Sequence, residues 1–482
     1  MGIINFFFIF VLNIKINIKY TVMVKFSKPF WVANFVELLE RLAYYAVFIV
    51  ITLYLSNVWG FSDIEAGVIA GLFSASLYLL PLFAGAYADK IGFRSAIMIA
   101  FTLLTVGYAG LGILPTMLES AGLVDYGMTT TYTGLNESYL RWSIVAPLIL
   151  VVIGGAFIKS VISGTVARET TPENRARGYS IFYMMVNIGA FTGKTVVDPL
   201  RRSMGDQGLV YLNYFSAAMT LLALIAVYFF YKSVKTEGKG KSFAEIGRSL
   251  VKVVLNVRLM LLILIVSGFW VIQSQMYATM PKFVIRLIGE SASPGWYANV
   301  NPLVVFLCVN FVTSLMKKRS AITSMMVGMF IIPVSALVMS LGTQIGETHI
   351  LGLHPVAFMM IVGIAFQAIA ECFISPCYLE YFSLQAPKGE EGLYLGFSHL
   401  HSFFSYLFAF GLSGFLLDKY LPDPRLFTNE AGVMDSVAYA AATQNAHHIW
   451  YVFVAIGAIS AVALFIYGRV TNRMDREAKN KL

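Results

Sequence analysis

Apolar stretches of about 20 residues recur from one end of this chain to the other, each long enough to cross a hydrocarbon layer of roughly 30 Å as a helix. Backbone amides in lipid must be satisfied within the segment, so such stretches can only be helices or closed barrels, and runs of this length without strand alternation select helices. Twelve spans are expected, near 31–57, 64–87, 95–115, 143–167, 177–199, 209–231, 259–280, 296–316, 321–344, 352–380, 392–417 and 447–468. Composition agrees: 58% of the 482 residues are hydrophobic and 13% charged, about half the charged share of an ordinary soluble domain. A soluble enzyme cannot cover its surface with so few charges. The expected class is an all-α membrane protein.

Basic residues fall unevenly between the two sets of loops. Lys90 and Arg94, the stretch Arg168 to Arg177, the segment 232–258, Lys317-Lys318-Arg319 and the tail from Arg469 all belong to one set. Lys and Arg in short loops are retained in the cytoplasm, so both termini are expected there, with the protein in the plasma (cell inner) membrane. The net charge of +9 then reflects this bias and the anionic lipid of the bilayer, and no nucleic-acid partner is called for. Residues 1–30 lack a basic n-region and a cleavage site, and Phe6 removes the myristoylation pattern; they are read as an extension, with Met23 the expected start. Cys308, Cys372 and Cys377 lie inside spans and read as buried apolar residues. No phosphate-cradling motif, metal framework or cofactor site is visible.

The segment 232–258, with Gly238-Lys239-Gly240-Lys241, separates six spans (31–231) from six (259–468), with 469–482 as a tail. Two six-helix bundles joined by a cytoplasmic linker suit a secondary transporter whose halves rock about a central site. After the second span, Gly85-Ala-Tyr-Ala-Asp89-Lys90-Ile-Gly92-Phe-Arg94 resembles the loop signature of the major facilitator superfamily, which implies that fold and a gate formed by Asp89 and the two cations.

Ionisable groups inside spans cost about 2.5–3.5 kcal/mol or more, so each is a candidate functional group. Glu37, Glu40, Arg41, Tyr44 and Tyr45 share one helical face by their i, i+3, i+4, i+7 and i+8 spacing. A bland alternative is a triad that only fixes helix packing. Lys159 sits in span four and Glu371 in span ten, ahead of Ser375-Pro376. They lie in opposite halves and are expected to face one central cavity, where a bond between them would break in each rocking cycle. Carboxylates at membrane depth supply the proton chemistry that symport requires.

Glu37-Leu-Leu-Glu40-Arg41-Leu-Ala-Tyr44-Tyr45 resembles the ExxER(F)xYY signature of the proton-dependent oligopeptide transporters, and Phe182-Tyr183-Met-Met-Val-Asn187-Ile-Gly189-Ala-Phe191 resembles their span-five signature. The likeness continues through Tyr78, Lys159, Trp270, Asn301-Pro302 and Glu371. It implies proton coupling through Glu37, Glu40, Arg41 and Lys159, and a peptide cavity lined by Tyr44, Tyr45, Tyr78, Lys159, Asn187, Trp270, Asn301 and Glu371, with Glu371 meeting the substrate's amino terminus. Three positions depart from the pattern: Phe48, Ser274 and Ser398 replace the family's Arg, Glu and Trp. Losing both members of the Arg–Glu pair is tolerable, whereas losing one would strand a buried charge. Lys194 is an addition. It reads either as a new anchor for the substrate carboxylate or as an i,i+4 partner of Asp198 near the extracellular surface; in the second case the substrate would lack a free carboxylate at that end, as an amidated, esterified or non-peptide amine held by Glu371. His399 and His401 are too divergent on a helix to chelate a metal, and His447-His448 mark the edge of span twelve.

The expected function is proton-coupled symport of di- or tripeptides or peptide-like solutes by a monomer without enzymatic activity. The same fold moving another organic solute, an anion or a drug, and a non-transporting membrane receptor both stay open.

Overall fold

A computed structural model describes residues 26–124, 135, 138–171, 174–232, 242–346, 349–385, 397–429 and 432–479. Among these the chain is almost wholly helical, with only two isolated β-bridges. Ten helices are long and apolar enough to cross a membrane, and an eleventh is the bent pair Lys28–Phe48 and Ile51–Val58. The remaining expected span, 177–199, lies within the 30-residue helix Arg175–Met204. It falls outside that apolar class because Lys194, Asp198, Arg201 and Arg202 sit along it. Each helix below carries the number of the span expected there.

Local signals set the ends. Ser27 caps helix 1, Ser62 and Glu65 form a capping box at Asp63, and Asn256 and Ser320 cap helices 7 and 9. Each side chain satisfies an amide that the helix start would otherwise leave unpaired. Helices 2 and 3 meet at Gly92, whose φ of 85° closes the turn that a side chain would disfavour. The expected linker is more than a polar strand of chain: Phe243–Leu255 is a helix with its own capping box, docked on the 81–91 segment of helix 2.

In the first half, helix 1 packs between helices 5 and 6, and helix 3 against 4 and 6; in the second, helix 10 lies between 8 and 9, and helix 12 against 7 and 9. The halves meet chiefly where helix 2 lies along helix 11 (Leu400–Tyr420). That seam depends on missing side chains. A Cβ at Gly67 would overlap the Phe410 carbonyl oxygen, and one at Gly414 would overlap the Asp63 carbonyl, so only small residues let these helices touch. Gly411, on the same helix, faces nothing within 4 Å.

Gly67→Val should therefore destabilise the purified protein by about 1–3 kcal/mol, the cost of overpacking a filled contact. Gly411→Ala should leave the melting temperature in detergent unchanged. Equal melting temperatures for both variants would show that the seam tolerates bulk.

Candidate functional site

The expected triad on helix 1 forms. Arg41 Nε lies 3.0 Å from Glu37 Oε1 and 2.6 Å from Glu40 Oε2, and all three side chains are buried. Helix 5 approaches closely enough to seal them in because it presents glycines: a Cβ at Gly189 would stand 2.6 Å from the Leu38 carbonyl oxygen and 2.7 Å from Arg41 Cβ. A small cavity inside the first half is lined by Glu40, Arg41, Tyr44, Tyr108, Gly155 and Lys159. Lys159 thus shares a space with Glu40 and Arg41 of the triad. Its Nζ donates to the Leu77 carbonyl (3.1 Å) and sits 3.5 Å over the Tyr78 ring, a cation–π contact.

Across the interface, Glu371 Oε2 accepts hydrogen bonds from Gln273 Nε2 (2.6 Å) and Asn301 Nδ2 (3.0 Å). Gln273 was not expected; its neighbour Ser274 had drawn attention as a departure, and Ser274 Oγ merely donates back to the Trp270 carbonyl. Lys159 and Glu371 form no ion pair among the described residues, so the expected bond between the halves is absent in this state. Each is held instead by neutral partners in its own half.

Lys194 corrects the surface reading. It is 2% exposed, donates to the Ala298 carbonyl (3.3 Å) and lies 5.5 Å from the Tyr45 ring. Asp198 is engaged elsewhere, accepting the Trp296 amide (3.1 Å). No ion pair joins them among the described residues, and Lys194 is near enough to Glu371 for their charges to interact. Asn187 donates to the Tyr183 carbonyl of its own helix (2.8 Å). Trp270 packs on His401, with 5.0 Å between ring centroids, and its indole nitrogen finds no partner among the described residues.

Phe48, standing in the family's Arg position, is buried in an aromatic seam. It stacks on Tyr44 at 4.9 Å and contacts Tyr277 at 4.8 Å, while Tyr78 stacks on Tyr406 at 5.1 Å. These rings come from both halves. Each favourable pair is worth about 0.5–1.5 kcal/mol beyond its buried area, so aromatic contact joins the halves here. Of the gate loop, Gly92 makes its turn and Arg94 donates to the Tyr228 carbonyl (2.9 Å). Gly85 packs on Ser160, Lys90 is exposed, and the Asp89 side chain lies outside the described residues.

The strongest contact between the halves was not expected. At the end of the bundle opposite the linker, Asp63 of helix 2 receives Lys282 Nζ (2.5 Å) and both terminal nitrogens of Arg286 (2.6 and 2.9 Å). Lys282 also reaches Ser56 Oγ (2.6 Å) on helix 1, and Arg286 reaches Asp423 (3.2 Å) and the Leu421 carbonyl (2.7 Å). Arg425 bonds Asn57, and Arg201 of helix 5 bonds Glu290 before helix 8. The positions were visible as Lys282 and Arg286 spaced i,i+4, but span seven was expected to end at 280, which left them as loop residues.

Two helical bundles, closed at one end by buried ion pairs and holding opposite charges near the middle, define a polytopic membrane protein of the two-domain carrier type. The family model of the Major Facilitator Superfamily matches residues 33–350, and the chain belongs to that superfamily. It is similar to dipeptide and tripeptide permease A of Salmonella typhi (26% identical over 269 residues, 55% of this chain and 47% of that protein). It is likewise similar to dipeptide and tripeptide permease B of Photorhabdus asymbiotica (26% over 211 residues, 43% and 37%). These matches span about half or less of the relatives' length. A longer match, 25% over 431 residues, covers 78% of this chain and 85% of dipeptide and tripeptide permease B of Shigella dysenteriae serotype 1. Among solved structures, one concerned with substrate recognition in proton dependent oligopeptide transporters superposes with a TM-score of 0.66 at 18% identity (93% of this chain, 100% of that one). A POT family transporter in complex with 5-aminolevulinic acid gives 0.65 at 18% (91% and 96%). At that identity the likeness establishes the fold.

Asp63→Asn should weaken the closed end by about 3–5 kcal/mol, because Lys282 and Arg286 would stay buried with their main counter-charge removed. A cysteine at Ser56 should then react faster with a membrane-impermeant maleimide than in the Asp63 parent. Unchanged labelling would mean the ion pairs do not hold this end shut.

Proposed function

We propose that this carrier moves short peptides or peptide-like solutes into the cell together with protons, by alternating access. The observation that carries the reading is the cavity that Lys159 shares with Glu40 and Arg41, Arg41 also pairing with Glu37, set in the half opposite Glu371. Two carboxylates with one arginine and one lysine sum to zero charge when all are ionised and to +1 once a proton is taken up, so protonation changes the charge at the centre of the first half. Glu371 keeps Oε1 without a hydrogen bond among the described residues, while Gln273 and Asn301 hold Oε2. That free oxygen suits a substrate ammonium. The curated relatives named as peptide permeases and the peptide-transporter structures of like fold point the same way.

In this reading the termini and the linker are cytoplasmic, the ion-paired end is extracellular, and the state is closed to the outside. The protein acts as a monomer in the cell membrane. Asp89, Lys90 and Arg94 gate the cytoplasmic side.

With Phe48 in place of a cation, the substrate carboxylate needs another partner, since burying it alone costs several kcal/mol, about 2–7 for an unpaired polar group and more for a charge. Lys194 is that partner, because Asp198 does not occupy it and it shares a helix face with Asn187. A carrier of a different organic solute would keep the fold and the triad but fail the peptide test below.

Glu40→Gln and Lys159→Ala should each abolish pH-driven accumulation of dipeptide in proteoliposomes while leaving exchange partly intact. Accumulation like wild type in both would remove the coupling assignment. For the anion anchor, wild type should bind a dipeptide more tightly than its C-terminal amide by on the order of 1.5–3 kcal/mol. Lys194→Met should lose that preference; an amide bound as well as the acid by wild type would eliminate Lys194.

A further inference from the structure

The linker helix Phe243–Leu255 carries three distinct strips. Ile246, Leu250 and Val253, spaced i, i+4 and i+7, form the first, which packs on the protein; Ile246 and Val253 are 4% and 1% exposed. One residue further round lie Gly247, Val251 and Val254, an apolar strip that faces outward, with Val251 55% exposed. The third strip holds Arg248 and Lys252, both exposed, with Leu255 on its border at 73% exposure. A helix bound only to protein would show two faces, one apolar and inward, one polar and outward. This one has an apolar face left over.

Its position limits what can cover that face. Only Asn256 separates the helix from Val257, the first residue of helix 7, so it lies within a turn of the membrane surface. Val257 is itself 69% exposed, which continues the apolar strip onto the membrane-crossing helix. The two cations flank the strip on the side away from the protein, where a headgroup layer would meet them.

We propose that this helix lies in the membrane interface and is a binding site for anionic phospholipid headgroups, with Val251, Val254 and Leu255 in the acyl boundary and Arg248 and Lys252 on lipid phosphate. Because its inward strip packs on the 81–91 segment, lipid would be held directly against the loop that joins helices 2 and 3. The inference is independent of what the carrier moves.

Bimane attached at Val251→Cys and, separately, at Glu245→Cys reports depth in proteoliposomes; Cys308, Cys372 and Cys377 are partly or fully buried, and the unsubstituted chain gives the labelling background. Bimane at 251 should be quenched by brominated acyl chains and spared by aqueous iodide, and bimane at 245 the reverse. Energy transfer from position 251 to headgroup-labelled phosphatidylglycerol should indicate association roughly tenfold stronger than to labelled phosphatidylcholine. Arg248→Gln with Lys252→Gln should erase that preference. Iodide quenching at 251, equal transfer to both lipids, or a preference that survives the double substitution would each overturn the proposal.

Discussion

One carboxylate shared by two cations ties the two halves together at one end of the bundle. Asp63 opens helix 2, and Lys282 and Arg286 converge on it from helix 7, so a single group of the first half fastens the far end of the second. A buried pair rarely adds much stability over apolar packing, but breaking one side of it is expensive. Such a contact works better as a latch than as glue. Its neighbours keep the charges solvated by protein: Ser56 takes a second hydrogen bond from Lys282, and Asp423 and the Leu421 carbonyl take what remains of Arg286. Parting the halves at that end would mean finding water for all of these groups at once.

Close helix approach makes this possible. Gly67 and Gly414 bring helices 2 and 11 together next to Asp63, and Gly189 and Gly193 do the same for helices 1 and 5 around Arg41. In lipid there is no hydrophobic drive to pull helices together, so contact area and interhelical polar bonds must supply it. The aromatic seam through Phe48, Tyr277 and Tyr406 adds contact where the related carriers are expected to place charge.

How much of this was readable beforehand depended on local signal. The helices were legible because bilayer thickness dictates their length, and the triad because Glu37, Glu40 and Arg41 lie within two turns of one helix. Lys159 and Glu371 stood out as charges within apolar runs. Gln273 did not, since a glutamine beside a serine carries no charge to flag it, and its role exists only once helix 10 lies alongside. For Lys194 the spacing leaves two readings open, an anchor or an i,i+4 partner of Asp198, and only the fold decides against the second, because helix 8 supplies the Trp296 amide to Asp198 and the Ala298 carbonyl to Lys194. The latch was lost to a boundary error: helix 7 runs to Ile288, past the apolar stretch that marked its expected end. Tertiary partners, not local pattern, decide each of these.

Helix 7 is also jointed. It breaks at Ser274 and again at Thr279, ahead of Pro281, giving segments Val257–Gln273, Gln275–Ala278 and Met280–Ile288. The first ends on the side chain that holds Glu371, and the last carries both cations of the latch. A rigid rod would force the tip and the middle to move together. A jointed one lets the outer segment tilt while Gln273 stays in place, because the interruptions absorb the change in backbone angles. The cations of the ion-paired tip and the side chain that holds Glu371 are thus mounted on separate segments of one helix, so a bend at the tip need not displace the centre.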